Sequence, residues 1–231
     1  MTKAAPTYKV FHFLRSKESV SLDEFKHVLS AAAASAKEDS ASYFLTLAAG
    51  HQHENTYTPS TDPDYDALLE FECDSVAGAI EVERSLRNGP LSTQLAPMID
   101  QDSSPVVTSR ILVMKDAPFA HIAQKMVCPI NVREGKTVEH FRDYWQNTHA
   151  KVAVDVLPVI HRYVQCHALA STYLDGRRPA FDGIAEFWFE DLAQAMSDTE
   201  SDPDASVRNY EDQLNFMDTR DKLILIVEEA V

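Results

Sequence analysis

Basic residues are scarce in this sequence: 21 Lys and Arg stand against 36 Asp and Glu, leaving a formal net charge of −15. Binding to a phosphate backbone needs clustered Lys and Arg to displace counterions, and no basic stripe interrupts the acidic background, so nucleic acid is excluded as a partner. Cysteine is scarcer still. Cys73, Cys128 and Cys166 stand far apart with no CxxC spacing, which excludes a disulfide framework and a cysteine zinc site and points to a reducing compartment. No apolar run approaches the roughly 20 residues that span a bilayer, so no membrane partner is expected. Met1 to Leu14 lacks the apolar core of a secretion signal. The expected location is therefore cytoplasmic. GxGxxG, GxxxxGK[ST], HExxH and GxSxG are all missing, which removes the common nucleotide cradles, the zincin motif and the nucleophile elbow. His51-Gln52-His53 beside Glu54 is a lone HxH that reads as a solvated loop, so neither a metal nor another cofactor is expected.

What is present is ordinary globular material, 45% hydrophobic and 25% charged. Tyr8–Arg15 alternates as a strand. Ser21-Leu22-Asp23-Glu24 opens a helix as a capping box, continuing through Phe25, Leu29 and the run Ala31–Ala34. Tyr43–Ala49 and Leu68–Cys73 read as strands around the polar loop His51–Asp64. Ser75–Leu86 is a helix stopped by Asn88-Gly89-Pro90, and Val106–Met114 is a strand. The order is β-α-β-β-α-β, and it recurs. Lys125–Val132 is a strand with Pro129 at an edge or bulge position, and Thr137 caps a helix to about Val154. Ile160–Ala170 and Phe181–Phe189 are strands. A helix follows from Asp191 through Met196, resuming beyond Pro203, and Leu223–Glu228 is the last strand. The acidic segment Ser197–Ala205 reads as a solvated loop.

The two halves align weakly but in order. Ser21–Phe25 matches Thr137–Phe141, Tyr65–Phe71 matches Phe181–Phe187, and Arg110–Val113 matches Lys222–Leu225. A single βαββαβ unit leaves one sheet face uncovered, and a second copy covers it. The predicted architecture is α+β: two tandem ferredoxin-like units, residues 1–116 and 121–231, forming an intrachain α+β barrel joined through Asp116–Ala120.

Four segments of the second half carry a family resemblance: the helix Thr137–Ala150 (TVEHFRDYWQNTHA), the strands Arg162–His167 and Asp182–Phe189, and Asn215-Phe216-Met217-Asp218. They resemble the EthD family of the dimeric α+β barrel superfamily, with the first half a degenerate copy. Members are usually single units that dimerise, so the resemblance implies a fused dimer, which leaves room for a homo-oligomer of the fused pair. It also implies several chemistries: an isomerase of methylmuconolactone, dehydratases or decarboxylases of polyketide pathways, cofactor-free monooxygenases and haem-handling proteins. One fold hosting several reactions cannot choose among them.

The candidate site follows from spacing. Phe141, Trp145, His149 and Val152 form one helical stripe whose unusual member is a histidine. Burial and the helix C-terminus act in opposite directions on its proton, which suits a general acid/base; the plainer reading is a histidine bonding to the carbonyls of its own helix. The resemblance favours the functional reading. By the helix alignment, Leu29 and Ala33 replace Trp145 and His149 in the first half, so one working site per chain is expected. Tyr163, Gln165 and His167 share one strand face, with His167 a second acid/base candidate. Asp182, Ile184, Glu186 and Trp188 share a face opposite the small, apolar Gly183, Ala185, Phe187 and Phe189, the side suited to receive helices. Asp66 and Glu70 repeat those carboxylates in the first half, which argues for a structural role, pairing with Arg110 or Arg162.

The favoured function is a cofactor-independent lyase or isomerase of a small cyclic, aromatic or polyketide-like substrate. His149 moves the proton, and Phe141, Trp145, Tyr163, Glu186, Trp188 and Phe216 line the pocket. The alternatives are a cofactor-free monooxygenase of an aromatic or quinol substrate, a non-catalytic barrel carrying an apolar ligand, and, fourth, a haem protein with a histidine axial ligand.

Overall fold

Alternating strands with two apolar faces must be covered twice, and this chain does so by closing its sheet on itself. The computed structural model describes residues 7–39, 43–49, 65–117, 124–191, 194–195, 197, 201–219 and 225–229. The elements are β1 (Tyr8–Leu14), α1 (Leu22–Asp39), β2 (Tyr43–Ala49), β3 (Ala67–Cys73), α2 (Val76–Asn88), α3 (Pro90–Leu95) and β4 (Val106–Asp116). They continue with β5 (Gln124–Ile130), α4 (Val138–Tyr144), a π turn (Trp145–His149), α5 (Ala150–Val156), β6 (Arg162–Ala168), β7 (Gly183–Phe189), α6 (Pro203–Gln213) and β8 (Leu225–Glu229). The HxH segment and most of the proposed connector lie outside the described residues.

The eight strands form a closed antiparallel barrel in the order β1-β3-β2-β8-β5-β7-β6-β4. Each set of four has the same connectivity, and the sets join at two seams. β4 pairs with β6 from Ser109↔Ala168 to Asp116↔Arg162, and β2 pairs with β8 from Thr46↔Glu229 to Ala49↔Ile226. The predicted α+β barrel is the observed fold. Pro129, which cannot donate to a ladder, lies opposite Ile184 in the β5–β7 ladder, two positions past Val127, where the described pairing with β8 ends.

Three cores result. The barrel interior packs Phe11, Phe13, Leu68, Val107, Val127, Val164, Cys166, Ile184 and Trp188. Outside, Val10, Leu14, Leu69 and Phe71 meet Phe25 and Leu29 of α1, while Phe187, Phe189, Tyr163 and Met126 meet Phe141, Trp145 and Phe216. The period-2 pattern thus sends alternate residues of β1, β3, β4, β5, β6 and β7 inward and outward.

Capping follows the chemistry read from the sequence. Ser21 Oγ accepts from Glu24 N at 3.2 Å, and Thr137 Oγ1 accepts from His140 N at 3.1 Å. Two expectations need correction. Asn88-Gly89-Pro90 ends α2 but also begins α3, because Pro90 occupies a first-turn position where its missing N–H costs nothing. The Ser197–Ala205 loop is shorter than expected at its far end: Asp202 caps α6, Oδ1 accepting from Ala205 N at 2.9 Å, with Pro203 in the first turn. Among the described residues, no helix is long and apolar enough to cross a membrane.

Candidate functional site

The helix that carries Trp145 and His149 is not α-helical throughout. Residues Trp145–His149 form one π turn, in which the Ala150 N–H reaches back to the Trp145 carbonyl. Single π turns of this kind concentrate at functional sites. Trp145 lies on the sheet over Gly183, where a Cβ would stand 2.9 Å from the indole Cη2 and closer still to Cζ3. Only the absence of a side chain at 183 lets the indole dock.

His149, at the end of this turn, is buried. Its Nδ1 lies 2.6 Å from Asp212 Oδ2, and the Tyr144 hydroxyl donates to Asp212 Oδ1 at 2.8 Å. The Phe216 ring sits 4.8 Å from the imidazole. Burial, and next the Asp212 carboxylate, push the Tyr144 phenol above its ordinary range, so it stays a donor. With Nδ1–H given to the carboxylate, the tautomer and the orientation of the ring are set by Asp212. A carboxylate that fixes tautomer and orientation in this way is the orienting member of histidine acid/base pairs.

A second network lies between the helix and β6. Trp145 Nε1 donates to Tyr163 Oη at 2.9 Å, and Gln165 Nε2 donates to both Tyr163 Oη and the Trp145 carbonyl, each at 2.9 Å. His167 Nε2 is 3.0 Å from Gln165 Oε1, and its ring stacks on Trp145 at 4.5 Å. Since the Gln165 amide nitrogen faces two acceptors, Oε1 must accept, and His167 carries its proton on Nε2. Burial, reinforced by Arg142 and Arg110, lowers the His167 pKa to about 3. This ring is neutral and committed to its neighbours, an environment unlike that of His149.

Glu186 and Trp188 are elsewhere. They point into the barrel, on the opposite face of β7 from Trp145, so the predicted lining divides between two sides of one sheet. The expected arginine partners are not the ones found. Glu186 and Glu70 alternate instead with two lysines that the sequence reading passed over. Lys9 Nζ is 2.8 Å from Glu186 and 3.0 Å from Glu70; Lys125 Nζ is 2.5 Å from Glu70 and 3.0 Å from Glu186. All four side chains are buried. Burial alone would depress the Lys9 pKa, but Glu186 and Glu70 outweigh it and hold the ammonium above the usual lysine range. Burial likewise opposes ionisation of Glu70, and Lys125 and Lys9 reverse that, holding it well below the carboxylate range. The Cys166 thiol, 3.4 Å from Glu186, is pushed up by burial and stays protonated. The quartet balances two charges of each sign, with the partly exposed Glu72 carboxylate 3.9 Å from Lys9 at its edge. Asp66 and Asp182 also brace the fold at corresponding places, each Oδ2 accepting a backbone N–H at 2.7 Å, from Ser16 and Val132.

Asp212 and Tyr144 were missed in the sequence. Tyr210-Glu211-Asp212 looks like a solvated acidic face, yet the Asp202-Pro203 start signal fixes a helix on which Asp212 falls. Among the described residues, no group of three or more His, Cys, Asp and Glu is placed to hold a metal ion.

Comparison with known proteins agrees with this architecture. Residues 133–220 match the EthD domain family model. None of the curated proteins matches the chain. Two variants of the chlorite dismutase from Candidatus Nitrospira defluvii share the fold, with TM-scores of 0.56 and 0.55. Both are 10% identical, over 98% of this chain and 92% and 93% of theirs. At that identity the likeness shows the fold alone. The segment that matches the EthD domain spans α4, the π turn, α5, β6, β7 and α6, all in the second half of the barrel, and so includes His149, Asp212 and the network beneath them.

Proposed function

We propose that the protein is a cofactor-independent lyase or isomerase in which His149 is the general acid/base and Asp212 its orienting carboxylate. The observation that carries this reading is the 2.6 Å contact between His149 Nδ1 and Asp212 Oδ2, with Tyr144 holding the other carboxylate oxygen. The pair supplies a tautomerically fixed nitrogen at Nε2. Dehydration, decarboxylation and lactone isomerisation each need one such nitrogen to move a proton on or off a substrate carbon or a leaving hydroxyl. Phe141, Trp145 and Phe216 supply the apolar surroundings suited to a small cyclic, aromatic or polyketide-like substrate.

The test is turnover of a panel of aromatic lactones and hydroxyketones by wild type, His149→Ala and Asp212→Asn, with the histidine ring signals followed by NMR. Removal of the acid/base is expected to lower the rate by about 10²–10⁴-fold. A substrate turned over equally well by His149→Ala would end the acid–base assignment. Ligand binding without turnover, unchanged in that variant, would establish a carrier barrel instead.

A further inference from the structure

The π turn needs a physical cause. Its sequence, Trp145-Gln146-Asn147-Thr148-His149, contains no Pro or Gly, the usual sources of helix irregularity, so local preference does not widen it. What distinguishes it is a tertiary contact. The Trp145 carbonyl, which accepts the wide-turn bond from Ala150 N–H, also accepts Gln165 Nε2 at 2.9 Å from the strand below. Gln165 is fully buried, and its other bonds fix the amide: a donation to Tyr163 Oη and acceptance from His167 Nε2–H. Trp145 is therefore gripped at three points, by Gln165 at its carbonyl, by Tyr163 at its indole N–H and by His167 across its face.

We infer that Gln165 is a positioning residue: its amide holds the wide turn open and thereby places His149 against Asp212. An α-helix advances about 100° per residue, so relaxing one wide turn to α spacing re-phases everything after it by about that angle relative to α4. His149 stands four residues beyond Trp145 and Asp212 is fixed on another helix, so such a shift separates a 2.6 Å contact. Three strand residues that never touch Asp212 thus set the geometry of the pair. The catalytic consequence rests on the acid–base reading above; the positioning itself does not.

The test compares Gln165→Met with Tyr163→Phe in the full chain. Methionine keeps the unbranched length and removes the donor. Phenylalanine removes the indole partner and leaves the bond to the Trp145 carbonyl. The readouts are the downfield Nδ1–H signal of His149 and the NMR coupling across the hydrogen bond from Ala150 N to the Trp145 carbonyl carbon, which exists in the wide turn and vanishes at α spacing. Loss of both in Gln165→Met, with both retained in Tyr163→Phe, is the expected result, and any turnover found should fall to the level of Asp212→Asn. An unchanged signal in Gln165→Met, or equal loss in both variants, would overturn the inference. Should Gln165→Met fail to fold, a coupling present in wild type and lost in His167→Phe, where Gln165 loses its orienting donor, supports it; its absence in wild type overturns it. If His149→Ala leaves turnover intact while Gln165→Met still loses the signal, the acid–base reading fails and the positioning stands.

Discussion

Replacing Glu70 by Gln removes one carboxylate from a four-charge ring that is neutral as it stands. Lys125 then loses its 2.5 Å partner, and both lysines share Glu186, at 2.8 and 3.0 Å. The result is one excess positive charge among four side chains no more than 7% exposed, opposed only by the partly exposed Glu72, 3.9 Å from Lys9. Breaking a buried pair this way costs about 3–5 kcal/mol, against total stabilities of roughly 5–15 kcal/mol for folded domains. Glu70→Gln combined with Lys125→Met removes one charge of each sign and leaves the Lys9–Glu186 pair at 2.8 Å intact. The double variant should therefore be more stable than Glu70→Gln alone by about 2 kcal/mol, a coupling of the size expected for residues in one network. Urea unfolding at pH 7, followed by tryptophan fluorescence, measures all three corners against wild type. A cost below about 1 kcal/mol for Glu70→Gln, the value of an exposed ion pair, would refute the buried-quartet account. So would strictly additive costs.

His167 and His12 are buried, with pKa values lowered to about 3 and about 4, chiefly by burial. Unfolded histidine titrates near 6.5, so between pH 6 and 4 the unfolded chain binds protons that the folded chain does not. Stability should fall as pH falls, by about 1.4 kcal/mol per unit for each histidine, and His167→Phe should remove one such share of the slope in chemical denaturation run across pH. Gly183→Ala puts a methyl into the Trp145 indole and should cost about 1–3 kcal/mol, read as a lowered Tm; an unchanged Tm would mean the indole is not seated as described.

Much of this fold was legible because two periodicities reported it directly. Gly183, Ala185, Phe187 and Phe189 alternate with Ile184, Glu186 and Trp188, and the small, apolar set does receive the helix. What alternation cannot say is that two faces of one strand belong to different compartments, so residues from both were assigned to one pocket. Lys9 and Lys125 were invisible for a related reason: a strand lysine is usually solvated, and only closure of the barrel turns it inward. The π turn was illegible because its cause is Gln165, which lies on another element. Asp212 was illegible because its partner lies 63 positions away in sequence.

The two seams have a consequence for how this chain changes over time. In a barrel assembled from two identical chains, every substitution is entered twice, and dilution can part the halves. Here both seams are intramolecular, so the partner strands meet at an effective concentration set by the connection and do not separate on dilution. A substitution enters one side only. Leu29 can fill the place that Trp145 fills across the barrel, and each side answers to its own constraints: one to pack a leucine on its sheet, the other to seat an indole over Gly183 and an imidazole against Asp212.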